Sequence, residues 1–473
     1  MAFVGDTLNQ HAQRRPFGSA LTFSGRTISW GELEAAVLKR EECVSDLGER
    51  SRIALCSRDP ANLLIDFLAV ARIGHVAMVY DPGWPAERRW AIEERTCPAR
   101  ILSSNTTVKS GPARTPSRPT EDTPFYIGFT SGSTGMPKGF ERTHGSWLKS
   151  FDVTEAEFGI GAGDHVLIVG SLQHSLHLYG AVHALHVGAR VTVLDGFDPK
   201  VVASSLASGA ITALYATPTQ LHYVSSVLER RQPVSSLRLV MASGAKWPAE
   251  ERRRMSAIFP QANLAEFYGA SETSFLTVLH PHETPPDGSV GRPVAGVQLR
   301  IGDPDGPPLP AGKTGRIWAK SPLHFKGYVC GEGPDTRRRD GWLTVGDHGY
   351  LDERGFLFLT GRENRMIISG GLNIYPEEVE RVLEEVPDVA NAAVFGLPDA
   401  ARGERLVAVV HPAAGMHPSP EQLYQTCVAR LGRAYSPRDI HVWRAWPLTA
   451  GGKTDLVKIR QSLLEGSKGE ERQ

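Results

Sequence analysis

The sequence predicts an α/β protein: a large N-terminal domain of helix-covered, mostly parallel sheets with a β-rich segment at its end, then a small α+β domain. Three observations predict it. Helix-like and strand-like segments alternate over the first hundred residues and again from Asp164 to about Gly269, the pattern of parallel strands covered by helices. Prolines, glycines and short β-like runs take over from about Asp303 to Leu359. After Arg362 the texture becomes that of a compact mixed piece, so the boundary is set between residues 1–362 and 363–473. A chain of 473 residues also exceeds one ordinary domain.

Each element has a local reason. Ser29 and Glu32 have the spacing of a capping box, which opens a helix expected to run to about Gly48. "SRIALCS" is a strand, "ANLLIDFLAVARIG" a helix ended by Gly74, and "HVAMVY" a strand. Ser103 to Pro124 is rich in Ser, Thr and Pro and is expected to be an exposed connector. "FYIGF" is a short buried strand; "DHVLIVG", "LYGAVHALHVG" and "ARVTVLDG" follow as strand, helix and strand. "SSLRLVMASG" and "NLAEFYG" are further strands whose C-terminal ends carry glycine-rich or polar turns, where open α/β sheets gather ligands.

The stretch "FTSGSTGMPKG" from Phe129 to Gly139 has the composition of a phosphate-holding loop. Small residues let backbone N–H groups approach an anion, hydroxyls add donors, and Lys138 adds a point charge. It is not a Walker loop, because Pro137 precedes the lysine and Gly139 follows it, and both resist the helix a Walker loop opens. A flexible Gly/Ser turn is the plain alternative for the stretch taken alone.

Composition excludes several classes. Lys+Arg and Asp+Glu are both 52, so no net charge draws the chain to nucleic acid or an anionic membrane. No apolar run reaches membrane-spanning length, and "MAFVGDTLNQHAQRRP" lacks an apolar signal core. Five scattered cysteines without CxxC spacing argue against a disulfide framework or zinc site and predict a cytoplasmic location.

Four stretches then matter together: "FTSGSTGMPKGFERTH", "EFYGASET", "GWLTVGDHGYLDERGFLFLTGRENRMIISGGLNIYPEEVE" and "AGGKTDL". In this order they resemble the adenylate-forming superfamily of acyl-CoA synthetases, peptide-synthetase adenylation domains and luciferases, over about residues 1 to 465. The resemblance implies an ATP- and Mg²⁺-dependent acid–thiol ligase with a large N-terminal domain and a small mobile C-terminal domain. A carboxylate becomes an acyl-AMP, and the acyl group passes to CoA or, alternatively, to a carrier-protein phosphopantetheine.

Residue by residue, the resemblance implies the following. Thr130, Ser131, Gly132, Ser133, Thr134, Gly135 and Lys138 wrap the phosphates. Tyr268 stacks on adenine beside Gly269, Ala270 and Ser271, where the usual YGxTE has threonine in the place of Ser271. Glu272, with Thr134, holds Mg²⁺. Asp347 accepts from the ribose hydroxyls and Arg362 contacts the ribose. Lys453 stabilises charge in the adenylation step. His174 lies beside the reacting carboxylate, with Ser243, Gly244, Ala245, Tyr268, Gly269 and Ala270 lining the acid pocket. The aspartate that holds an α-ammonium in amino-acid-activating members is missing near His174, which argues against an α-amino acid. Fatty, aromatic and aryl-alkyl acids stay open. Ser369, Gly370 and Gly371 line a pantetheine tunnel, and Arg402, Arg405 and Arg438 are candidates for the CoA phosphates. The hinge falls at Asn364, a position more often Asp or Lys. A nucleotide-binding homologue without catalysis is a remote alternative, disfavoured by Lys453, Glu272, Asp347 and Arg362.

Overall fold

The computed structural model describes residues 2–103, 106, 118–130, 137–229, 231–244, 247–280, 283–331, 333, 335–369, 372–399, 403–449 and 453–470. The chain divides into two compact units. The first comprises Met1–Leu299, Ala319–Pro334 and Arg338–Leu343; the second comprises Arg300–Trp318, Asp335–Arg337 and Thr344–Gln473.

Helices in the first unit start where local chemistry dictates. Ser29 and Glu32 exchange the two bonds of a capping box, at 3.3 and 2.8 Å, and open the helix Trp30–Glu41. Asp59 accepts from the N–H groups of Ala61 and Asn62 and, with Pro60 at the first turn, opens Pro60–Arg72. Every residue of that helix from Leu63 to Ala71 is buried, each large apolar side chain contributing about 1.5–3 kcal/mol. Its one buried carboxylate, Asp66, is paired with Arg40. The helix from Ser29 stops at Glu41, short of the expected Gly48. Arg100, on the strand Arg100–Leu102, takes the Cys43 carbonyl and the Asp46 carboxylate, which draws the chain out of the helix.

Two sheets fill this unit. The first runs Arg292–Pro293, Ser274–Leu279, Asn263–Ala270, Leu239–Ala242, Ala213–Ala216, His165–Ile168, Arg190–Val193, Ser19–Phe23 and Arg26–Ser29. From Asn263–Ala270 to Ser19–Phe23 its strands are parallel, and the edges are antiparallel. Leu239–Ala242 and Ala213–Ala216 are buried at every residue, as strands covered on both faces must be. The second runs Gly327–Cys330, Lys138–Thr143, Pro124–Thr130, Val76–Val79, Arg52–Leu55 and Arg100–Leu102.

In the second unit Asp347–Leu351 pairs with Leu357–Arg362, placing Asp347 opposite Arg362. Its C-terminal part is a sheet of Leu372–Ile374, Ile367–Ser369, Gly403–Pro412 and Val389–Asp399, with Asp439–Val442 beside Gly403–Pro412. The helices Pro376–Glu384 and Pro420–Leu431 cover one face through Val379, Leu383, Leu423 and Cys427. The helix Leu456–Glu470 covers the other through Ile459 and Leu463.

Candidate active site

In the first unit three chain segments leave parallel strands of one sheet at their C-terminal ends, two of the strands adjacent and the third beyond one intervening strand. Ser243 and Gly244 follow Leu239–Ala242, Tyr268–Ala270 end the adjacent strand, and His174 follows His165–Ile168. This is where open parallel sheets leave a crevice. Gly244 has φ +92°, a conformation glycine adopts without strain.

The Tyr268–Glu272 segment is held tightly. Ala270 and Thr273 close on each other, the Ala270 N–H donating to Thr273 Oγ1 at 3.0 Å and the Thr273 N–H to the Ala270 carbonyl at 3.1 Å. A Cβ on Gly269 would sit 1.7 Å from the Ser274 carbonyl oxygen, so only glycine fits beside Tyr268. Tyr268 is half-buried. Glu272 is buried; its backbone carbonyl accepts from the Phe325 N–H at 2.8 Å, and Oε1 accepts from the Tyr328 hydroxyl at 2.6 Å. The segment also touches the His174 side of the crevice, because Ser271 Oγ lies 3.0 Å from Ser175 Oγ. His174 is exposed at the N-terminus of Ser175–His186. On the next turn His177 is buried, and burial, with the His174 charge adding, drops its pKa to about 3, so it is a neutral packing group. Its ring fills the place of a Gly170 side chain, since a Cβ there would lie 2.0 Å from Nε2.

Thr130 and Lys138 stand opposite each other in the register of Pro124–Thr130 and Lys138–Thr143. They bracket the expected phosphate loop: Ser131, Gly132, Ser133, Thr134 and Gly135 lie outside the described residues, as do Ala245, Gly370, Gly371 and Arg402. Lys138 Nζ lies 5.9 Å from the Tyr328 ring centroid, above the residue that holds Glu272. His144, just beyond the strand, is fully buried, stacks on Phe125 at 4.6 Å and accepts the Val4 N–H at 3.0 Å. Burial lowers its pKa to about 3.

Among the described residues no trio of His, Cys, Asp or Glu gathers to cage a metal. Magnesium does not need one: it keeps several waters and takes one or two carboxylates plus substrate phosphates. Glu272 fits that demand, with a hard carboxylate fixed through Oε1 at the end of a strand.

In the second unit Asp347 is buried and Arg362 Nε donates to its Oδ1 at 2.8 Å, so the two residues assigned to the ribose touch directly. Asn364 is exposed in the short turn Glu363–Arg365. Next to it, Arg365 is fastened to Glu380 at 2.6 Å and to Glu377 at 3.1 Å. Ser369 is buried and donates to the Glu404 carbonyl. Arg405 is tied to Asp439, whereas Arg438 is exposed. Lys453 is exposed on a loop closed by Thr449, whose N–H donates to the Lys453 carbonyl at 2.7 Å.

Residues absent from the sequence expectations hold the Ser271–Glu272 segment: Phe325 and Tyr328 bond Glu272, and Arg142 bonds the Ser271 carbonyl. Tyr328 gives no signal in its own stretch. Arg142 could have been found: it follows Phe140 by two in a strand, and alternate residues share a face, so a buried Phe140 implies a buried arginine.

The family model described as AMP-binding enzyme matches residues 98–329, and that of the AMP-binding enzyme C-terminal domain matches residues 378–453. YhfT of Bacillus subtilis, an uncharacterized acyl-CoA ligase, is 41% identical over 343 residues, which cover 72% of this chain and 69% of YhfT. The 2-succinylbenzoate–CoA ligase of Enterococcus faecalis is 32% identical over 329 residues, 69% of this chain and 67% of that one. Among solved structures, o-succinylbenzoate CoA synthetase (MenE) from Bacillus subtilis in complex with its acyl-adenylate intermediate matches with a TM-score of 0.84 at 26% identity, over 97% of this chain and 98% of that one. The same enzyme in complex with ATP and magnesium ion matches with a TM-score of 0.84 over 96% of this chain and 98% of that one, again at 26% identity.

Proposed function

We infer the reaction from one premise: the chain belongs to the AMP-binding enzyme family. It is an ATP-dependent acid–CoA ligase that converts a carboxylate and ATP into an acyl-AMP and pyrophosphate, then forms the CoA thioester. The observation that supports the assignment of residues is that Ser243–Gly244, Tyr268–Glu272 and His174 lie at the C-terminal ends of parallel strands of one sheet, with Ser271 in contact with Ser175.

In the proposed adenylation step Tyr268 offers its ring face to adenine, with Gly269 leaving the backbone bare beside it. Asp347 accepts from the ribose hydroxyls, oriented by Arg362. Ser131, Ser133, Thr134 and Lys138 hold the departing pyrophosphate, framed by Thr130, Gly132 and Gly135. Glu272, with Thr134, holds the magnesium ion, which supplies neutralising charge at the phosphates. His174 orients the acid carboxylate for attack on the α-phosphate; Ser243, Gly244, Ala245 and Ala270 bound its pocket. Lys453 stabilises the negative charge that builds between the two anions.

For the second step we propose that residues 363–473 turn about Asn364, which withdraws Lys453 and brings Ser369, Gly370 and Gly371 to the path of the pantetheine arm. Phosphopantetheine on a carrier protein is the alternative acceptor. A cytoplasmic location is part of the proposal; it is supported by five unpaired cysteines, and among the described residues no helix is long and apolar enough to cross a membrane. The substrate is sought among fatty, aromatic and aryl-alkyl acids. The test is exchange of labelled pyrophosphate into ATP across a panel of such acids. Exchange should depend on one class of acid and on magnesium; exchange independent of any acid would contradict the proposal.

A further inference from the structure

The strand Lys138–Thr143 carries a positive charge into the interior: Arg142 is 2% exposed. Its guanidinium donates from Nε to Ser146 Oγ at 3.1 Å, from Nη1 to the Ser271 carbonyl at 2.9 Å and from Nη2 to the Leu323 carbonyl at 2.7 Å. A longer contact of 3.5 Å joins Nη2 to the Ser146 carbonyl. Every one of these acceptors is neutral. Burial lowers the arginine pKa to about 10, so the group remains charged at neutral pH. Desolvating a charge is unfavourable, and an apolar side chain would fill the same volume without that cost. What the guanidinium adds is a rigid planar fork that fixes several acceptors at once.

Two of the acceptors it fixes, the Ser271 and Leu323 carbonyls, belong to the segments that hold one residue, Glu272. The Ser271 carbonyl belongs to the peptide bond that leads into Glu272. Leu323 begins the segment whose Phe325 N–H holds the Glu272 carbonyl and whose Tyr328 hydroxyl holds its carboxylate. The arginine itself sits on the strand that leads out of segment 131–136. We propose that Arg142 is a positioning residue for the magnesium-bound nucleotide, setting the aim of the Glu272 carboxylate through the Ser271 and Leu323 carbonyls. This rests on the proposed role of Glu272 as the magnesium ligand. Groups that orient a ligand typically change metal affinity by about 10–100-fold when removed.

The test reads binding, not turnover: calorimetric titration of ATP with magnesium and with EDTA, in the absence of acid. Arg142→Met should raise the Kd for magnesium–ATP about tenfold or more and leave ATP binding in EDTA unchanged. Arg142→Lys keeps the charge but loses the fork, and should show the same selective loss. Tyr328→Phe removes only the hydroxyl on Oε1 and should give a smaller rise. In a Glu272→Gln background, Arg142→Met should add nothing further. Magnesium-dependent tightening that survives Glu272→Gln would refute the ligand assignment, and the inference with it. If Glu272→Gln abolishes the tightening while Arg142→Lys and Tyr328→Phe, both melting like the parent, keep its Kd, the positioning role alone is overturned. Equal losses with magnesium and with EDTA would also overturn it. Should Arg142→Met not fold, Arg142→Lys and Tyr328→Phe decide.

Discussion

Gly269→Ala places one methyl group between the proposed adenine platform and the proposed magnesium ligand. The added Cβ would sit 1.7 Å from the Ser274 carbonyl oxygen and 2.9 Å from its carbon. Both are backbone atoms of the facing strand, where Gly269 pairs with Phe275 and Ala270 with Ser274. An ordinary carbon contact is about 3.5 Å, so the strands must separate by well over an ångström locally. Ser274 is already at φ +59°, which leaves it little room to rotate aside. Overpacking of this kind costs about 1–3 kcal/mol in stability. Tyr268 and Glu272 flank the displaced bond, and a misplacement of about 1 Å can cost 10²-fold in rate. We expect a lowered Tm with a folded protein, and acid-dependent pyrophosphate exchange reduced about 10²-fold. Thiolysis of a supplied acyl-AMP should fall less, because it no longer needs the magnesium-bound phosphates. Exchange within twofold of the parent would refute the reasoning, since the strand would then have absorbed the methyl group without moving the site.

Three further outcomes are expected. Lys453→Ala should depress adenylation by about 10²–10³, the scale for losing one transition-state donor, and largely spare thioester formation from supplied acyl-AMP; equal loss in both half-reactions would remove the lysine from its role. Asn364→Pro fixes φ in the turn Glu363–Arg365 and should slow thioester formation while exchange persists; normal rates in both steps would move the pivot elsewhere. Glu41 is pushed up to about 7 by burial, with Arg72 opposing and Glu34 adding to the shift. A carboxyl with a raised folded-state pKa contributes stability at low pH that is lost as pH rises through about 7. Glu41→Gln keeps the uncharged form, so its Tm should gain on the parent between pH 5 and about 8; a gap that widens toward acid would reverse the sign.

What the sequence showed plainly was what neighbours in the chain decide. Ser29 and Glu32 lie within one turn of each other, and their capping box formed as expected. The strand ends at Ser243 and Tyr268 were legible because hydrophobic runs followed by glycine announce themselves. The end of the first long helix was not, because Arg100, far along the chain, takes the Cys43 carbonyl. The support of the Ser271–Glu272 segment was hidden for the same reason: Arg142 reaches the Ser271 carbonyl, and Phe325 and Tyr328 reach Glu272, across large separations in sequence, and only pairing between distant segments brings them there. The proposed roles of Glu272, Asp347 and Lys453 rest on motif resemblance, since a carboxylate or an ammonium on a turn has no distinguishing periodicity of its own.

The most direct measurement of the central claim follows AMP, pyrophosphate and thioester together, for the acid that best supports exchange, with and without CoA. An acid–CoA ligase should release AMP and acyl-CoA in equal amounts when CoA is present, and hold its acyl-AMP with little AMP release when it is absent. ADP and phosphate as products would contradict the claim, as would AMP release that is indifferent to both acid and CoA.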